Sequence, residues 1–311
     1  MIKLRKLAKP NRSFARYWSL YMMALPGLLY LFINNYMPMA GLVVAFKQYN
    51  AQKGIWKSQF VGLKNFEFLF KTKDAWIITR NTICYNLVFI VLGTAFAITV
   101  AILLNELRSA FAKKVYQTIT LIPFMVSIVV VSYLVNAFLS TENGFINNGV
   151  LRPLGLDGIS WYSTPGPWPV ILVLVNLWKT FGYNSIIYYA TLVGINKEYY
   201  EAAVIDGASR WDQVKSVTLP GLFPTIVTLT LLNIGRIFYS DFGLFYQVPL
   251  NSGPLFNVTN TLDTYVFRGL MQSNNIGMAS AAGFYQSLVG FALVMLANYV
   301  VKRVSPDNAL Y

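Results

Sequence analysis

The chain has 311 residues, 56% hydrophobic and only 12% charged, with a net charge of +13, no histidine and one cysteine. That is too apolar for a water-soluble domain, and the apolar residues fall in charge-free blocks, Tyr17–Phe46, Asn81–Asn105, Val115–Thr141 and Gly269–Val301, each longer than the ~20 residues a bilayer needs. The missing histidine excludes histidine-metal sites and Ser-His or Cys-His nucleophile pairs, and the lone Cys84 excludes an intrachain disulfide.

Residues 1–16 form a basic arm, oriented by anionic lipid and the membrane potential. The apolar run after it is too long for a signal-peptide core, and Asn34-Asn35-Tyr36 is no small-residue cleavage site, so it reads as a retained first helix over 17–38. Pro38 predicts a bend near the outer end, with Gly41 to Phe46 continuing at or above the surface. The outer stretch Phe60–Phe70 carries aromatics at irregular spacing, as an interfacial helix does. Helix two is expected over 76–104 and helix three over 115–139, where Pro123 lacks the amide a helix needs and predicts a kink. That kink fits both a pathway lining and a plain packing feature. The outer loop from Ser140 to Pro167 offers Trp161-Tyr162 as an aromatic lip.

Helix four, 167–193, carries Trp178, Lys179, Tyr183 and Asn184, and helix five, 218–240, carries Asn233, Arg236 and Tyr239. A cation at that depth must face the bundle interior, a wet cavity or an interface. Aromatic faces stack on sugar C–H groups while amides and guanidinium donate to hydroxyls, so these seven residues are the candidate substrate cavity. Snorkelling cations and aromatic packing fit the same residues, and Arg236 with Asp241 fits a structural pair. The segment from Asp241 to Ile276 is long and polar, a natural contact for an external partner. Helix six, 277–301, opens on small residues that permit close packing, and 303–311 form a tail. The permease domain as a whole is expected over 17–302.

With six helices and the N-terminus inside, the inner segments hold fourteen cations against six acids, the outer ones eight against six. This positive-inside bias predicts both termini in the cytoplasm and accounts for the charge without nucleic acid. Six lysines in the first outer loop run against it.

Between helices four and five, 194–217 is a structured interruption. Tyr199 to Ile205 reads as a short helix with Glu198 and Glu201 at its N-terminal end, and Asp206-Gly207 stops it. A second amphipathic piece, Ser209 to Val217, leads to Pro220 and Pro224. The run Glu201, Ala202, Ala203, Asp206, Gly207, Ala208, with Leu219 and Pro220 downstream, resembles the EAA loop of membrane subunits of binding-protein-dependent ABC importers. Val214 and Val217 stand where that family usually has phenylalanine and isoleucine, and remain apolar. Val61-Gly-Leu-Lys-Asn-Phe66 looks like the segment before helix two in carbohydrate-type permeases.

The resemblance implies an all-α membrane protein with six spans, the type I importer permease fold, in the cell membrane. It implies that the loop is a coupling helix inserting into a groove on a separate ATPase, with Ala202 and Ala203 leaving room, Glu201 and Asp206 making polar contacts or holding the turns, and Gly207 setting the angle. The expected partners are a related second permease, two nucleotide-binding ATPase subunits that carry ATP and Mg, an extracellular solute-binding protein, and a carbohydrate, an oligosaccharide above all. This chain itself is expected to bind no cofactor or metal, since it holds no Gly-x4-Gly-Lys-Ser/Thr loop. A peptide or other solute fits the same loop. An ion-coupled carrier or channel has no use for a docking loop, and an enzyme lacks clustered reactive groups.

Overall fold

A computed structural model describes residues 17–67 and 71–304. The basic arm 1–16, residues 68–70 of the aromatic outer stretch and 305–311 of the tail lie outside the described residues. Ten helices carry the architecture: α1 Trp18–Phe46, α2 Lys73–Glu106, α3 Ala110–Met125, α4 Ile128–Leu139, α5 Trp168–Val193, α6 Lys197–Ile205, α7 Arg210–Gly235, α8 Phe242–Gln247, α9 Leu262–Met271 and α10 Ile276–Val304. Among the described residues, α1, α2, α5, α7 and α10 are each long and apolar enough to cross a membrane, and the bent pair α3/α4 supplies a sixth span. A two-stranded ribbon, β1 Lys47–Gln48 antiparallel to β2 Gln59–Phe60, follows α1.

Helix α1 does not end at Pro38. It widens by one turn over Phe32–Tyr36 and tightens over Met37–Phe46, so Pro38 sits at the start of a new winding, where its missing amide is not needed. The tightened part packs on α10, with Phe46 5.3 Å from Phe284, while Trp18–Leu31 buries no residue within the chain.

The third span is broken where only a kink was expected. α3 and α4 meet at 89°, and the break falls at Val126-Ser127, three residues past Pro123. Val126 is extended, and the Ser127 hydroxyl accepts from the Val129 amide to start α4. A broken helix leaves carbonyls without partners, which apolar surroundings make costly. Lys179 of α5 supplies them: its Nζ donates to the carbonyls of Val126 at 2.5 Å, Phe124 at 3.1 Å and Pro123 at 3.5 Å. Next to it, a Cβ on Gly182 would lie 1.8 Å from the Thr120 carbonyl oxygen, so only glycine lets α5 approach α3 this closely.

Helix α7 begins eight residues before the expected 218 and ends five before the expected 240. A wide turn over Val214–Thr218 carries it into Pro220, and Arg236 to Tyr239 then form tight turns. The segment 236–275 is not a polar loop. It buries Leu244, Phe245, Val248, Leu255 and Leu262 almost completely. Its irregular backbone finds partners on one stripe of α2. Asn86 Nδ2 donates to the carbonyls of Ile237 (2.8 Å) and Tyr239 (3.0 Å), Asn81 Nδ2 to Asn257 (3.1 Å) and Asn260 (2.9 Å), and Tyr85 to Val258 (2.8 Å). Gln286 of α10 donates to Phe238 at 2.6 Å. Non-helical backbone at membrane depth persists only when protein satisfies it in this way. No Arg236–Asp241 ion pair forms: Asp241 instead caps α8, accepting from the Leu244 amide at 3.0 Å.

Candidate coupling surface and substrate cavity

The Glu201 loop is built by local rules. The Asn196 side chain accepts from the Glu198 amide at 3.1 Å and starts α6. Gly207, at φ +81°, ends it: its amide bonds the Val204 carbonyl at 3.0 Å, and the Ala208 amide bonds Ala203 at 2.9 Å. This paired closure satisfies the carbonyls α6 would leave free, and its left-handed residue favours glycine. Ser209 and Asp212 then cap each other's backbone and open α7. The Ser209 hydroxyl also lies 2.5 Å from the Asp212 carboxylate.

The result is a helix that touches little of its own chain. α6 buries no residue; Ile205 is 85% exposed, Tyr199 64% and Val204 59%. Glu201 and Asp206 make no side-chain hydrogen bond or ion pair among the described residues, so they do not hold the turns. Asn196, Ser209 and Asp212 do that. Sequence reasoning passed over them, although Ser-x-x-Asp is itself a cap signature. The loop is nonetheless fastened to the spans. Tyr200 bonds Thr218 at 3.0 Å, Thr191 of α5 bonds Thr225 of α7 at 3.1 Å, and the Ile195 side chain packs on Gly221. Arg210 and Glu106 form an exposed ion pair at 3.5 Å, worth little in water. Leu219 and Pro220 lie exposed at the start of the regular part of α7.

Between α2, α5 and α7 lies a cavity of about 360 Å³. Tyr183, Asn184, Asn233 and Arg236 line it, and α2 contributes Phe89, Gly93 and Thr94. Trp178, Lys179 and Tyr239 do not. At about 100° per residue, positions 178, 179, 183 and 184 spread over most of a helix circumference, so their closeness in sequence does not make one face. Lys179 and Tyr183 share the side that meets α3, where Tyr183 stacks on Phe124 at 4.6 Å. Tyr239 turns to Ser287 of α10 at 3.4 Å. Arg236 is exposed into the cavity, with no ion pair among the described residues. The α2 residues were missed because that helix reads as a uniform apolar run; the signal was the polar stripe Asn81, Tyr85, Asn86, spaced to share a face and leading to Phe89.

A six-span bundle with a self-capped helix projecting from one end matches a known family model. Residues 90–306, more than half of the chain, match the model described as "binding-protein-dependent transport system inner membrane component". The chain belongs to that family. It is a multi-pass membrane permease subunit of an ABC importer, and ATP hydrolysis belongs to a separate subunit. It is 34% identical over 290 residues to Protein LplB of Bacillus subtilis (strain 168), covering 93% of this chain and 90% of that protein. It is likewise 34% identical over 294 residues to the polygalacturonan/rhamnogalacturonan transport system permease protein YteP of the same strain, covering 93% and 89%. A solved structure of a bacterial alginate ABC transporter, in complex with alginate pentasaccharide-bound periplasmic protein, superposes with a TM-score of 0.86 at 32% identity, over 96% of this chain and 99% of that one.

Proposed function

We propose that this permease forms one half of the pathway for an oligosaccharide delivered by an extracellular solute-binding protein, with uronate-bearing chains its preferred class. The second half is a related permease, and of the two ATPase subunits holding ATP and Mg, one docks on the α6 face of this chain. Both termini and the Glu201 loop then face the cytoplasm, as the cation bias favours.

The observation that carries the coupling reading is α6 itself: complete, capped at both ends, with Tyr199, Val204 and Ile205 exposed and Glu201 and Asp206 unengaged. A helix this regular that buries nothing in its own chain is a surface for another. Closure of an ATPase dimer pushes α6, and the Tyr200–Thr218 and Thr191–Thr225 bonds pass the push to α5 and α7, which wall the cavity. In the cavity, Phe89 and Tyr183 offer ring faces and Asn184 and Asn233 offer amides to hydroxyls. Arg236, a cation without a counter-ion there, favours a carboxylate-bearing sugar, in keeping with the relatives named for polygalacturonan and alginate.

The test is ATPase turnover of the reconstituted complex with and without loaded binding protein. Glu201→Ala and Gly207→Asp are each expected to abolish the stimulation, or the ATPase assembly, while the permease still folds. Unchanged assembly and turnover in both variants sinks the coupling reading.

A further inference from the structure

The six lysines of the first outer loop are not explained by transport, and the structure divides them. Lys47 closes the ribbon, donating to the carbonyls of Ile55 (3.0 Å) and Trp56 (2.8 Å), and Lys71 pairs with Glu67 at 2.6 Å. Lys73 opens α2, and the side chains of Lys53, Lys57 and Lys64 are exposed and make no hydrogen bond or ion pair among the described residues. They share their short stretch with Trp56, Phe60 and Leu63, which are 72%, 66% and 69% exposed. Free cations interleaved with bare aromatic and aliphatic side chains, at the end of a membrane bundle, are the composition of a headgroup-level surface.

Beneath this stretch runs an apolar slot of about 660 Å³, walled by Phe46, Leu63, Phe66, Phe284 and Leu288. Lys64 and Glu67 stand on its rim and also line a neighbouring polar pocket of about 330 Å³ with Gln48, Asn65 and Asn275, the charge of Glu67 being met by Lys71 and that of Lys64 left free. The slot runs on into the exposed stripe Leu288, Phe291, Met295 of α10, whose spacing keeps one face. Asn65 fixes the geometry by donating to the carbonyls of Ala45 and Lys47, both at 2.9 Å.

We propose that this site binds an anionic phospholipid, one acyl chain lying in the Phe46–Phe284 slot and along α10, and the phosphate bonded by Lys64 beside the amide of Gln48. A protein partner explains the slot but not the free lysines, and an acidic glycan explains the lysines but not the slot. A lipid accounts for both.

The experiment is native mass spectrometry of the delipidated full chain, offered palmitoyl-oleoyl phosphatidylglycerol or phosphatidylcholine at equal concentration. The native chain is expected to retain phosphatidylglycerol about fivefold better, the worth of one lysine at an anionic surface. Lys64→Gln is expected to bring the two lipids to parity, and Leu288→Trp, which fills the slot, to reduce retention of both. A monodisperse elution profile for each variant separates these effects from misfolding. Equal retention of the two lipids by the native chain, or a preference untouched by Lys64→Gln, overturns the proposal. Displacement of bound phosphatidylglycerol by oligogalacturonate overturns it in favour of a glycan surface. Shielding of Lys64 from amine acylation by assembly with the other subunits in lipid-free detergent assigns the slot to protein instead.

Discussion

Helix α6 at one end of the bundle and the segment 236–275 at the other both interrupt runs of membrane-grade helix, and they are held by opposite means. α6 is closed by neighbours in sequence: Asn196 caps it, Gly207 ends it, and Ser209 with Asp212 restarts the chain. The far segment is closed from elsewhere. The partners of Asn81 lie 176 and 179 residues away, and Gln286 reaches Phe238 across 48. The first can present most of its side chains to another protein because its own fold uses only Tyr200 and Glu198. The second buries its large side chains and cannot move without leaving buried carbonyls bare. The coupling proposed for α6 uses both, a handle that is locally complete and an opposite end that stays rigid while the handle is pushed.

The contrast is sharpest at Asn86. Replacing it with alanine strands two carbonyls, and Asn86→Ala is expected to cost about 3 kcal/mol, read as a fall in thermal midpoint of the purified chain. Lys179→Met removes the cap of the α3/α4 break and is expected to cost about 2 kcal/mol, with Lys179→Arg recovering part of it in the same assay. If Lys179 acted on substrate instead, its loss would spare the midpoint and lower transport. Arg236→Gln is expected to leave the midpoint alone and weaken transport of a uronate oligosaccharide about tenfold, worth ~1.4 kcal/mol, while sparing a neutral one. Equal losses for both sugars would remove the argument for an acidic substrate.

At the handle the effects are smaller and local. Ser209→Ala is expected to cost about 1 kcal/mol, visible as faster hydrogen exchange over 197–213 with the global midpoint unchanged. A drop in midpoint like that of Asn86→Ala would break the contrast between the two ends.

These particulars show what was legible. The helix over Tyr199 to Ile205 with its stop at Asp206-Gly207 is legible in the sequence because every bond that closes it spans a few residues, and local chemistry writes itself in local sequence. The break at Val126-Ser127 was read as a kink at Pro123 because proline shows where a helix loses an amide, not whether a lysine 53 residues on will cap the damage. The seven cavity candidates were chosen by residue type, and Trp178, Lys179 and Tyr239 fell outside because facing is set by which neighbour each helix meets.

The sequence alone determined that this chain spans a membrane about six times, that it carries a short capped helix at Glu201 between two spans, and which permease family it resembles, since these follow from hydropathy over ~20-residue windows and from short sequence motifs. The tertiary structure alone decided that helix three breaks at a right angle, that helix five stops at Gly235, that 236–275 folds inward on α2, and that Arg236 rather than Lys179 reaches the cavity. The physical reason is the same in each case: where backbone leaves its helix inside an apolar medium, its hydrogen bonds must be completed by whatever the fold brings near, and that partner is not a neighbour in the chain.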